Sequence, residues 1–139
     1  MKILLDTNVI LDVCLKRQPF YEMSKAVMDL VQYAEFDEYI SASAVTDIYY
    51  ITNRSLKDPE ATRALIVKML TAVHIVAVTE DEIKAALHLS WKDFEDAVQY
   101  AVASSVEMDG IITRNKGDYS QSALNVWSPQ EFMDLLPPH

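Results

Sequence analysis

The sequence predicts a three-layer α/β domain, with a parallel sheet between two layers of helices. Five short runs rich in apolar residues, at positions 3–5, 39–42, 75–78, 111–113 and 125–127, read as strands. Segments with helical periodicity or helix-start chemistry separate most of them. The runs are mostly apolar rather than alternating, which suits strands covered on both faces.

The elements follow in order. Ile3-Leu4-Leu5 stops at Asp6, which stands where an N-cap for a helix beginning near Asn8 would stand. Phe20, Met23, Val27, Leu30, Val31 and Ala34 repeat at helical spacing and define one buried face. After the second strand, Ser43 is expected to cap a helix whose first turn holds Asp47, where an acid favours the helix dipole. Asp58-Pro59 reads as an N-cap followed by proline at the first helical position. Thr79 with Glu82, and Ser128-Pro129 with Glu131, are capping-box signatures. Asp93 is expected to cap another helix, with Asp96 at its third position.

Composition narrows the function classes. With 139 residues and 50 % apolar content, the chain fits one domain spanning positions 1–139 with a substantial core. No stretch approaches the roughly 20 apolar residues of a membrane helix, and the N-terminal apolar run is too short for a signal peptide. The single cysteine, Cys14, cannot form an intrachain disulfide and is expected to be a small hydrophobe on a helix, consistent with a cytoplasmic protein. Two glycines, Gly110 and Gly117, cannot supply a dinucleotide fingerprint or a phosphate loop. His74, His88 and His139 lie at no metal-ligand spacing. A formal charge of −9 argues against broad electrostatic binding to nucleic acid, and neutralising part of it with divalent ions leaves the chain acidic. A nucleic-acid substrate would have to be held by local basic residues and metals, weakly and with salt sensitivity.

Four acids stand out. Asp6, Asp47, Asp96 and Asp118 fall at or shortly after strand ends or in the first turn of a helix, and in a parallel sheet such positions share one edge. Singly, each has an ordinary role as a cap, a dipole partner or a turn acid. Together they repel one another unless a cation joins them, and an all-oxygen set suits Mg²⁺ or Mn²⁺. Such an ion lowers the pKa of water and stabilises charge on a phosphoryl oxygen, with no histidine, serine or cysteine nucleophile needed.

Three segments, Asp6-Thr7-Asn8-Val9-Ile10-Leu11-Asp12, positions 93–103, and Thr113-Arg114-Asn115-Lys116-Gly117-Asp118-Tyr119, resemble the PIN domain in order and spacing across nearly the whole chain. The ending Val126-Trp127-Ser128-Pro129-Gln130-Glu131-Phe132 is similar to one PIN subgroup. The resemblance implies a five-stranded parallel sheet with a metal site at its carboxyl edge. It implies a metal-dependent ribonuclease leaving 5′-phosphate and 3′-hydroxyl ends, often the toxin of a VapBC-type pair with a cognate antitoxin. Carried over by position, Asp6, Asp96 and Asp118 match the family's metal-binding aspartates. Asp47 matches a further acid, commonly Glu; being one methylene shorter, it needs a closer backbone or an intervening water.

Around these acids, Thr7, Asn8, Thr113 and Asn115 are expected to hold carboxylates or water by hydrogen bonds. Arg114 and Lys116 are the favoured phosphate contacts, whereas Arg17 and Arg54 read as solvated helix ends. Asp12 is expected either in a surface pair with Lys16, worth only about 0.3–0.5 kcal/mol, or facing the site. Glu95 reads as part of a solvated face. Ile48-Tyr49-Tyr50-Ile51 suits core packing, a homodimer interface or stacking on bases. Two other functions compete with an Mg²⁺/Mn²⁺-dependent endoribonuclease. One is an aspartyl-phosphate phosphatase with Asp6 as nucleophile, although Asn8 stands where a second acid is usual. The other is a non-catalytic PIN-like module that binds RNA or protein.

Overall fold

A computed structural model describes residues 1–137; His139 lies outside the described residues. Five parallel strands form one sheet: β1 (Lys2–Leu5), β2 (Asp37–Ser41), β3 (His74–Val76), β4 (Gly110–Ile112) and β5 (Asn125–Trp127), in the order β3-β2-β1-β4-β5. The helices are α1 (Thr7–Cys14), α2 (Tyr21–Met28), α3 (Ala42–Leu56), α4 (Pro59–Met69), α5 (Glu80–Leu89), α6 (Phe94–Ser105) and α7 (Pro129–Leu135). Short 3-10 turns follow α2 and lie between β4 and β5. The α/β/α architecture expected from the sequence is therefore present.

Alternation along β1 builds the layers. Ile3 and Leu5 face one core with Val9, Ile10, Val27, Ile48, Ile66 and Phe132, which come from α1, α2, α3, α4 and α7. Leu4 faces the other way, with Ile111, Ala103 and Tyr119, under α6. α5 packs mainly on α6 through Ala86, Ala97 and Val98. Local capping chemistry starts several of the helices. Asp58 accepts a hydrogen bond from Ala61 N, and both expected capping boxes form, at Thr79/Glu82 and Ser128/Glu131. The cap of α3 is Ser41, not Ser43: Ser41 Oγ accepts from Ala44 N at 3.3 Å. The helix begins at Ala42 as soon as β2 ends, so Asp47 lies in its second turn rather than its first.

Gly110 opens β4 where no larger residue fits. A Cβ there would lie 2.7 Å from Asn125 O and collide with the Trp127 ring. β1 and β4 are the central neighbours, and successive connections leave them in opposite directions, to β2 and to β5. A crevice opens at the carboxyl ends of strands at such a point. No helix among the described residues is long and apolar enough to cross a membrane.

Candidate metal and catalytic site

Asp6 stands at the carboxyl end of β1, its amide donating to Ile112 O of β4 at 2.9 Å. It holds the N-cap position of α1 with extended backbone, but its side chain makes no capping bond. The carboxylate turns sideways instead. Gln99 Nε2 donates to Oδ1 at 2.9 Å, and Thr113 Oγ1 donates to Oδ2 at 2.6 Å. Thr113 Oγ1 in turn accepts from Asn115 N at 3.0 Å, which aims its proton at Asp6.

A second acid is tied into the same network. Gln99 Nε2 also meets Tyr119 OH at 3.2 Å, and that hydroxyl donates to Asp96 Oδ1 at 3.2 Å. Asp96 sits in the first turn of α6, its amide donating to the cap Asp93 at 3.0 Å. Gln99 is fully buried, and its Oε1 has no hydrogen-bond partner among the described residues. Reversing the amide would place that oxygen against Asp6, so repulsion fixes its orientation. Burial pushes the Tyr119 phenol far up, keeping it a donor.

The electrostatics are those of crowded carboxylates. Burial first, and Asp118 last, raise Asp6 above the usual aspartate range, against hydrogen bonds from Thr113, Gln99 and the Thr7 backbone. Asp96 rises to about 7 through burial and then the charges of Asp6 and Asp93. Glu95 is raised by burial and then by Asp47; Thr7 Oγ1 donates to its Oε1 at 3.1 Å. Asp118 lies exposed on the 3-10 turn Lys116–Tyr119. One cleft of about 490 Å³ is lined by Asp6, Asp47, Asp96 and Asp118, together with Asn8 and Asn115. Asp93 and Glu95 line it as well. Glu95 reads from sequence as part of a solvated face, and its place one residue before Asp96 at a helix start is the signal that points to the cleft.

The cations are distributed differently from expectation. Arg114 is turned away from the cleft, with Nε and Nη2 at 2.7 and 3.2 Å from the two Asp12 oxygens and its guanidinium 3.8 Å over the Phe20 ring. Asp12, fully buried, also pairs with Arg17 at 3.3 Å and accepts from Ser24. It neither reaches Lys16 nor faces the site, because α1 turns it into the packing against α2. Lys116 pairs with Glu131 at 2.9 Å. Arg54, read as a solvated helix end, instead lines the cleft beside Tyr50 and Ile51.

No three acidic, histidine or cysteine side chains among the described residues stand close enough to hold an ion as placed. The donor set nevertheless fits a hard divalent cation: several carboxylates in one cleft, no nitrogen or sulfur ligand, and mutual repulsion that a cation relieves.

The family model for the PIN domain matches residues 2–117. The chain is a member of the PIN-domain family. This PIN protein is 25 % identical over 138 residues to Ribonuclease VapC1 of Aquifex aeolicus (strain VF5), an alignment covering 96 % of this chain and 94 % of that protein. Its fold is similar to a chain in VapBC-1 from nontypeable Haemophilus influenzae, with TM-score 0.70, 16 % identity, and coverage of 94 % of this chain and 99 % of the other. It is also similar to a chain of FitAcB from Neisseria gonorrhoeae, with TM-score 0.64, 23 % identity and coverage of 92 % and 98 %. The recognised PIN order of the motifs is thus matched by the family, and the five-stranded parallel sheet by the fold of these neighbours.

Proposed function

We propose that residues 1–139 act as one PIN-like nuclease domain, a divalent-metal-dependent endoribonuclease and the toxin of a toxin–antitoxin pair. The observation that carries this reading is the diversion of Asp6 from helix capping. Its carboxylate is held rigidly by Gln99 and Thr113 beside Asp96 in an acid-lined cleft. A surface cap needs no such buried support. The similarity to a protein named Ribonuclease VapC1 and to members of toxin–antitoxin complexes supports the same reading.

Asp6, Asp96 and Asp118 would hold Mg²⁺ or Mn²⁺, with Asp47 and Glu95 across the cleft. When bound, such an ion supplies Lewis-acid activation of water and stabilises charge on the scissile phosphate. Gln99 and Tyr119 fix the spacing of Asp6 and Asp96, and Thr113 sets the Asp6 rotamer. Arg54 is the basic side chain in the cleft placed to meet phosphate. An antitoxin and a second copy of the chain belong to this reading. It is supported by exposed Tyr50 (61 %) and Val67 (65 %) beside an apolar groove between α3 and α4.

The test is cleavage of single-stranded RNA by purified protein with Mg²⁺ or Mn²⁺, with and without chelator. Activity should require the ion and disappear in Asp6→Asn and Asp96→Asn. Unchanged cleavage in both variants would overturn the assignment. A phosphatase acting through Asp6 would instead leave covalent phosphate on that residue.

A further inference from the structure

A second cavity, of about 460 Å³, adjoins the acid-lined cleft and shares Asp93 and Asp118 with it. Besides Gly117 of the 3-10 turn, its wall brings together two separate parts of the chain. Trp91 and Lys92 come from the turn between α5 and α6; Ser120 and Gln121 come from the segment after the 3-10 turn. The Ser90–Asp93 turn is fixed at both ends, by left-handed Ser90 (φ 55°) closing α5 and by Asp93 capping α6. Trp91 is fixed too, with its indole stacked on Tyr100 at 4.8 Å and edge-on to Tyr119 at 5.9 Å. The half-buried indole still contributes to the cavity wall. Lys92 makes no ion pair among the described residues, unlike Lys116 on the neighbouring segment.

We propose that this cavity binds the base of the nucleotide next to the scissile phosphate, with Trp91 as its aromatic wall and Gln121 and Ser120 reading the base edge. The proposal rests on the ribonuclease reading and deepens it. The volume lies in the range of small-ligand sites, about 300–1,000 Å³. The composition is that of a nucleotide subsite: an aromatic surface, an amide and a hydroxyl able to donate and accept, and a lysine for phosphate. Asp118 stands between the two spaces, so a strand whose phosphate reaches the acids delivers its neighbouring base into the cavity. A base can enter only when unpaired and unstacked, as in the single-stranded RNA of the cleavage assay above.

The test uses the two tryptophans. Trp127→Phe leaves Trp91 as the single tryptophan, excited selectively over the tyrosines, and 5′-mononucleotides, which contain no internal phosphodiester to cut, serve as probes in Mg²⁺. Saturable quenching by at least one of AMP, GMP, CMP and UMP is expected, weakened in Gln121→Ala and Lys92→Ala. Both substitutions are at exposed positions and leave the core intact. In RNA cleavage, Gln121→Ala should raise KM about tenfold for the preferred sequence and flatten base preference, with kcat within about twofold. RNA cleavage without quenching overturns the subsite while leaving the nuclease standing, as does quenching with unchanged KM and preference in both variants. Quenching that Gln121→Ala abolishes, in a protein that cuts no RNA, upholds nucleotide binding and overturns the nuclease. Neither quenching nor cleavage overturns both.

Discussion

Asp6 occupies an N-cap position, yet its carboxylate is bound to Gln99 and Thr113, two side chains from α6 and from the end of β4. Under the metal-ligand role proposed for Asp6, groups that orient a ligating carboxylate affect metal affinity or activity by roughly 10–100-fold when removed. Thr113→Val and Gln99→Leu should therefore each lower RNA cleavage by about that factor, with the loss in metal affinity read by calorimetry. Folded variants with unchanged cleavage and metal affinity would contradict it. Asp12 has the opposite character: a fully buried acid that joins Arg114, Arg17 and Ser24. Asp12→Ala leaves Arg114 without its partner and should cost on the order of 3 kcal/mol in denaturant unfolding. Stability near that of the native chain would argue that Phe20 alone holds the guanidinium.

Elements place these residues through their ends. β1, β4 and the start of α6 converge because parallel strands put their carboxyl termini on one edge, and α6 begins at that edge. The capping signals at Asp58, Thr79, Asp93 and Ser128 were legible because capping is local chemistry within four residues. The cap of α3 was misplaced by two residues because Ser41 and Ser43 both suit the role. The choice depends on where β2 stops pairing with β3, and Ser41 still pairs with Val76. Gly110 is an element-scale constraint, since β4 meets the Trp127 ring and Asn125 O of β5 there. Gly110→Ala should destabilise by about 1–3 kcal/mol, as overpacking does. A thermal melt unchanged from the native chain would show that β5 moves aside freely.

Across the whole molecule, buried acids set an unusual pH response. Glu38 in β2 is fully buried, neither oxygen has a hydrogen-bond partner among the described residues, and burial pushes it up to about 8. Asp6, Asp96 and Glu95 are raised as well. The sign follows from proton counting. Between the unfolded value, near 4.5 for Glu38, and about 8, the folded chain holds protons that the unfolded chain has lost, so stability falls as pH rises. Glu82 and Glu131, lowered by their capping contacts, act oppositely and only in acid. The metal-free protein should be more stable near pH 5 than near pH 8. Glu38→Gln should recover part of that difference, as read by urea unfolding across the range. A flat or rising profile in the native chain would sink this account.

Layer order, strand positions, most caps and the acidic motif were all readable from the chain, because each depends on neighbours within a few residues. Burial periodicity and capping are short-range, and the PIN order is carried by short motifs. What the tertiary structure decided is which side chains meet across the sheet edge. Arg114 was expected at phosphate and instead lies on Asp12, 102 residues away. Arg54 and Glu95, read as solvated, line the cleft, and Gln99 and Tyr119 tie Asp6 to Asp96. The reason is physical: a side chain's role is set by what the fold packs against it, and for these residues the partners come from distant elements. The sequence determined that acids gather at one edge, and packing alone determined which groups hold them there.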